Sequence, residues 1–236
     1  MKRLTTSKAI GEAKPIRGAS IINKTWKEFI KEVRAEKYHS LGERLNVINT
    51  ANDYFKMEKS FNTLCVDVRG FIAGIPNKLQ IEGAEDWGCF GSMRGAGMFQ
   101  HLIKSNDSNI SKALDEIPLS GQITRTHYNN FIKHFTKALK GNCVATATRL
   151  LSMKRPDTFI CFNSRNKSKL CKDFEIVQSN MDYERYWDDI IEKIFDCDWW
   201  LNRAPKNDKE KIISEARAAF LDSLYYEEKK LNKLIN

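Results

Sequence analysis

A helical period runs through residues 123–140, stops at Gly141 and restarts a few positions later. Phe131, Phe135 and Leu139 fall four apart, with Tyr128 and Ile132 beside them, the spacing that gathers side chains on one helix face. Gly141 has no Cβ and suits the sharp reversal that ends such a helix. Residues 145–153, A-T-A-T-R-L-L-S-M, then supply a second helix whose small first turn lets a neighbour approach closely. Two helices joined by a glycine turn leave backbone N–H groups unpaired at the start of the second. Those donors, with the helix dipole, attract an anion such as phosphate.

Charge around the turn is lopsided. Residues 140–172 hold eight Lys or Arg side chains against one acid, Asp157. The chain of 236 residues carries a formal charge of +9, so nucleic acid is the first partner class to weigh. Lys140, Arg149, Lys154 and Arg155 add field beside the turn, although one ligand cannot face all of them. The six cysteines are scattered, with no C-x-x-C pair, which argues against a zinc ribbon or a closely ligated iron–sulfur cluster. They read as reduced, mostly buried thiols of a cytoplasmic protein. No signal-peptide pattern and no bilayer-length apolar run is present, so no membrane partner is expected. His39, His101, His127 and His134 form no H-x-x-x-H pair, and no metal site or nucleophile elbow is expected.

Along the chain, residues 1–20 read as a flexible basic arm broken by Gly11, Pro15 and Gly18. Residues 21–236 read as a single helical domain or as two lobes, with the helix–turn–helix at 123–172. Thr25 is a candidate N-cap for a helix burying Trp26, Phe29, Ile30 and Val33. A second helix is expected over 41–57, and others over 183–195 and 208–226. Trp199 and Trp200 read as core anchors. The run C-V-D-V-R at 65–69 alternates like a short strand, the one β element expected. A glycine-dense stretch, 85–99, reads either as a tight turn with close helix packing through Gly95 and Gly97, or as a loop bringing Arg94 to a phosphate or base. The fold class expected is mainly α.

At 141–163 the chain resembles the helix–hairpin–helix DNA glycosylases. Gly141, Thr146 and Ala147 match the family's G-x-G-x-x-T-A hairpin, with Cys143 in place of its other glycine. Pro156, Asp157 and Phe159 match the P-D-x-F-x-x-x-D corner, and Asn163 stands where the family has its catalytic aspartate. Ala145 occupies the position of the lysine carried by strand-cleaving members, so a Schiff-base mechanism is not implied. The resemblance implies a multi-helix glycosylase-like fold and double-stranded DNA as partner. It implies a monofunctional enzyme that needs no cofactor, flips out a damaged or modified base and hydrolyses its bond to deoxyribose, in repair or in defence against phage DNA. DNA contacts are then expected from Gly141, Asn142, Cys143, Ala145, Thr146, Arg149, Arg165, Lys167 and Arg94.

Asparagine changes the chemistry expected at 163. Breaking an N-glycosidic bond builds positive charge on the sugar, which a carboxylate stabilises while activating water. An amide carries no charge and takes no proton at neutral pH, although its carbonyl can orient a water. A second carboxylate is therefore expected, from Asp67, Glu82, Glu85 or Asp86. Asp157 belongs to the corner, where a Pro-Asp pair starts a turn. Two other functions fit the same residues. One is a restriction-type endonuclease using Asp67, Glu82 and Lys78 around magnesium; the other is a DNA-binding module whose catalytic site is lost.

Overall fold

The computed structural model describes residues 20–35, 41–58 and 60–226. The expected arm at 1–20, save its last residue, lies outside them, as do His39 and the C-terminal residues 227–236. Helices account for the regular structure, and no strand occurs among the described residues.

Three expected helices form where their periodicity places them. Helix α1 spans Trp26–Ala35 and buries Trp26, Phe29, Ile30 and Val33. Thr25 caps it: Glu28 N–H donates to the Thr25 hydroxyl, while the Thr25 amide donates to the Glu28 carboxylate at 2.9 Å. Helix α2 spans Leu41–Met57, and α6, below, is the third. The expected strand is instead helix α3, Val66–Ala73, closed by Gly74 in the left-handed conformation at φ +67°. Val68, Phe71 and Ile72 share its buried face, so the alternation at 65–69 was a fragment of a longer helical period. Helices α4, Gly97–Lys104, and α5, Ser108–Asp115, follow.

Helix α6, Arg125–Ala138, starts at a Thr124–His127 capping box and lies along α5. Helix α7, Val144–Lys154, runs through the centre against α2, α3 and α5. Of its residues only Ala145 is not buried, so it has no solvent face. Short helix α8, Lys167–Asp173, follows the corner. The helix expected at 183–195 is one rod in three parts: α9, Tyr183–Arg185, a π-helical stretch, Tyr186–Ile191, and α10, Glu192–Phe195. The π stretch turns Tyr186 inward, where its hydroxyl donates to the Ile160 carbonyl at 2.7 Å. Trp199, in α11 (Asp198–Leu201), is fully buried and stacks on Phe29 at 4.3 Å. The helix expected at 208–226 is interrupted. Helix α12 covers Asp208–Glu215 and α13 covers Leu221–Leu224; between them the Ala219 amide leaves the helical ladder and donates to the Pro156 carbonyl at 2.9 Å.

Burying all of α7 buries its charges too. Lys154 Nζ donates to the Leu114 carbonyl at 2.6 Å and lies 5.3 Å from the centre of the Phe55 ring. Burial pushes the Lys154 ammonium down to about 8, with Asp115 opposing weakly. A lysine whose folded-state value lies below its unfolded one destabilises the fold while charged. That penalty is full below pH 8 and disappears as the pH rises toward 10.5, the value of the free side chain. Lys154→Met is therefore expected to stabilise the chain at pH 7 by on the order of 2 kcal/mol. Urea unfolding across pH 7–10.5 checks it: wild-type stability gains on the variant as pH rises.

Candidate functional site

A turn at residues 139–143, where the sequence places the hairpin, joins α6 to α7. Leu139 leaves α6, Gly141 turns at φ +86°, and Val144 begins α7. Lys140, Gly141 and Asn142 are exposed, whereas Cys143 and Ala145 are half-buried. The Tyr183 hydroxyl pins the turn from below, accepting the Cys143 amide at 2.9 Å and lying 3.2 Å from the Gly141 carbonyl. Asn142 Nδ2 donates to the Met181 carbonyl at 2.7 Å. At the head of α7 the amides of Val144 and Ala145 donate to no group among the described residues.

The basic residues divide. Arg149 is wholly buried, and its guanidinium donates to the carbonyls of Ile72, Phe71, Trp87 and Cys89. It cannot meet a phosphate, so the DNA contact expected of it is corrected: Arg149 is a staple joining α7 to the end of α3 and to the glycine-dense stretch. Thr146 is also buried, its hydroxyl donating back to the Cys143 carbonyl at 2.9 Å instead of reaching a ligand. Arg155 is bound to Asp157 at 2.8 and 2.9 Å. Arg94 is exposed over the Trp87 ring at 4.8 Å. Arg165 and Lys167 are half-buried, Arg165 lying 5.9 Å from the centre of the Tyr226 ring.

Asn163 is half-buried beside the hairpin end of α7. Two contacts hold its segment there: Phe162 N–H donates to the Thr148 hydroxyl at 2.9 Å, and the Cys161 thiol lies 3.8 Å from the Ala145 carbonyl. The Asn163 Oδ1 accepts the Arg165 amide at 2.8 Å, shaping the turn into α8. Its Nδ2 donates to the carboxylate of Asp222, in α13, at 2.8 Å. Asn166, fully buried, donates to the same Asp222 oxygen and to the Cys161 carbonyl. Asp222 is 4% exposed. A buried carboxylate facing two side-chain amides thus lies directly behind Asn163.

The glycine-dense stretch forms a wall of this site. Gly91, at φ +107°, passes so close that a Cβ there would sit 2.4 Å from the Cys161 sulfur and 3.3 Å from Asn163 Nδ2. Close packing therefore runs through Gly91 and Gly74, while Gly95 and Gly97 face open space. Gly74 leaves no room either: a Cβ would meet the Gly91 carbonyl at 2.6 Å. The Gly74 carbonyl accepts the Met93 amide at 2.7 Å. Burial pushes the Cys161 thiol up to about 12 and raises Cys89 further, so neither is a thiolate nucleophile at neutral pH.

The carboxylates expected to assist Asn163 are placed elsewhere. Asp67 accepts the Lys78 amide at 2.9 Å and ties the loop after α3 back to that helix. Glu82 is exposed. Glu85 is exposed and accepts the Gly83 amide at 2.9 Å, which holds its carboxyl below the usual range. No hydrogen bond joins Asp67, Glu82 or Glu85 to Asn163 among the described residues. Asp86 and Asp222 both lie close enough to Cys89 for their charges to add to the burial that raises its thiol. Asp222 was missed. One signal for it exists in the sequence: it is the lone acid in the apolar run A-A-F-L-D-S-L.

Among the described residues no helix is long and apolar enough to cross a membrane, and no group of three His, Cys, Asp or Glu side chains is placed to hold a metal ion. No family model, curated protein or solved structure matches the chain.

Proposed function

We propose that the chain is a DNA glycosylase that grips duplex DNA at the 139–143 hairpin and hydrolyses a base–sugar bond over Asn163. The observation that carries the proposal is the 2.8 Å bond from Asn163 to buried Asp222, beside the helix whose head offers two unpaired amides. In this reading Val144 and Ala145 N–H groups and Lys140 hold backbone phosphate, without reading sequence. Asn163 faces the extruded sugar and orients water with the free lone pair of its Oδ1. Asp222 supplies through that amide the negative charge that position 163 itself lacks, stabilising the cationic sugar at short range and low dielectric. Gly91 packs directly on Cys161 and Asn163, so any side chain there would push Asn163 out of place.

The test is alkali cleavage of abasic sites in duplexes carrying a panel of damaged and modified bases. Wild-type chain is expected to give cleavage on at least one substrate. Asn163→Ala and Asp222→Asn are each expected to lower the rate about 100-fold while leaving DNA affinity unchanged. Affinity should fall steeply with salt, and Lys140→Ala should reduce the log–log slope by about 1. Absence of cleavage on every substrate rejects the enzyme reading.

A DNA-binding module with a lost site is the second reading, favoured by one observation. Both polar atoms of the Asn163 side chain already serve the fold, one holding the Arg165 amide and one Asp222. Salt-dependent DNA binding without base release selects it. The endonuclease alternative has no observation in its favour.

A further inference from the structure

At the opposite end of α7 from the hairpin lies a cavity of about 750 Å³. Eleven residues of helix separate the two places, roughly 16 Å at 1.5 Å per residue. The cavity opens under the Pro156–Asp157 corner, and its volume is that of a small-molecule site. Five cations line it, Lys56, Lys154, Arg155, Arg203 and Arg217, against two acids, Asp157 and Glu215. Arg155 and Asp157 neutralise each other in a two-pronged pair, leaving four cations facing one acid.

Arg217 is the anomaly among them. It is 4% exposed, yet its Nε has no hydrogen-bond partner among the described residues. Its Nη1 reaches the Ser214 carbonyl at 2.7 Å, and that is its one hydrogen bond among the described residues. Its guanidinium lies over the Trp200 ring at 4.4 Å, and that of Arg203, on the exposed rim, lies 5.9 Å from the same ring. Desolvation and then the charge of Arg203 push Arg217 down to about 10. A buried guanidinium with an idle donor, crowded by like charge, is an arrangement that an anion resolves: the fork geometry fits two phosphate oxygens at once.

We propose that this cavity binds a small phosphate-bearing molecule, its phosphate held by Arg217 and Arg203 beside Trp200. The site is separate from the hairpin and from Asn163, and it stands or falls independently of base excision. Trp200 already carries the two guanidinium groups and packs on Phe195 at 4.7 Å. The phosphate is therefore the recognised group, with no ring stacking required.

Calorimetric titration of the full chain with inorganic phosphate, a nucleoside monophosphate and the bare nucleoside tests this. Saturable binding of both phosphates is expected, with none of the nucleoside. Arg217→Met is expected to weaken phosphate binding at least about tenfold, since the fork is lost. Arg203→Gln, at the exposed rim, gives the same readout should Arg217→Met not fold. Equal affinity for phosphate and monophosphate identifies free phosphate as the ligand, and tighter monophosphate binding identifies a larger phosphorylated molecule; either outcome supports the site. No saturable heat from either phosphate, or undiminished binding in the variants, overturns it. Displacement of phosphate by stoichiometric duplex DNA also overturns it, assigning the cavity to the DNA backbone.

Discussion

Arg149→Met is expected to lower the unfolding free energy by about 3–5 kcal/mol, enough to unfold many domains of this size at moderate temperature. The side chain is fully buried, and methionine matches its length without its donors. Four carbonyls, of Phe71, Ile72, Trp87 and Cys89, lose a charged partner at once. Of these, Phe71 retains the Gly74 amide at 3.1 Å. Each carbonyl left dry and unpaired costs about 1–3 kcal/mol, partly offset by the guanidinium no longer being desolvated. Lysine in its place brings one nitrogen for four acceptors and is expected to recover less than half of the loss. Urea unfolding of wild type, Arg149→Met and Arg149→Lys gives the order directly. Under the proposed DNA binding, its salt slope in folded Arg149→Lys should equal that of wild type, because the residue is buried away from any ligand; a reduced slope would place Arg149 at the proposed interface.

Asn163→Asp, which places the resembled family's aspartate at this position, is expected to damage the fold at neutral pH instead of improving it. Asn163 Nδ2 donates to Asp222 at 2.8 Å, and a second carboxylate there would place like charges in contact in a buried setting. One of the pair must keep a proton. The loss is bounded by the free energy of holding that proton at pH 7, about 3 units above an ordinary aspartate, hence about 4 kcal/mol. The sign follows from linkage. The pair's upper value in the folded state is raised above its unfolded value, so the variant's deficit is absent below about pH 4 and grows as the pH rises. Denaturation of wild type and variant from pH 4 to 7 checks this, as a difference that widens with pH. A variant as stable as wild type at pH 7 would show that the carboxylate at 222 does not face position 163.

Helices α1, α2 and α6 could be read from the chain because their apolar residues recur at helical spacing along their length, and the caps of α1 and α6 are local: Thr25 with Glu28, Thr124 with His127. Helix α3 could not, since five alternating residues satisfy either period and Gly74 cuts the pattern short. The break in the 208–226 helix is set by Pro156, some sixty positions away, which takes the Ala219 amide. The turn at Gly141 between two helices and the loop that carries Asn163 were legible in the sequence. Their partners were not: Asp222 lies 59 positions from Asn163, and Arg149 meets acceptors 60 to 78 positions distant. An arginine in a small-residue helix reads as surface charge because nothing nearby in sequence announces the carbonyls that surround it. Lys154 misled for the same reason, its acceptor Leu114 lying 40 positions away.

The Arg149 staple has a mechanical consequence. Its planar group is tied to the end of α3 on one side and to the 87–89 turn on the other, so those segments and the hairpin helix translate as one slab. Under the proposed base excision, a berth for an everted nucleotide would open from the other wall, the 164–166 turn and α13, which meet the slab through Asn163 and Asp222. Labels across that second wall, on exposed Ser164 for example, should report displacement on DNA engagement, while labels within the slab stay at fixed separation.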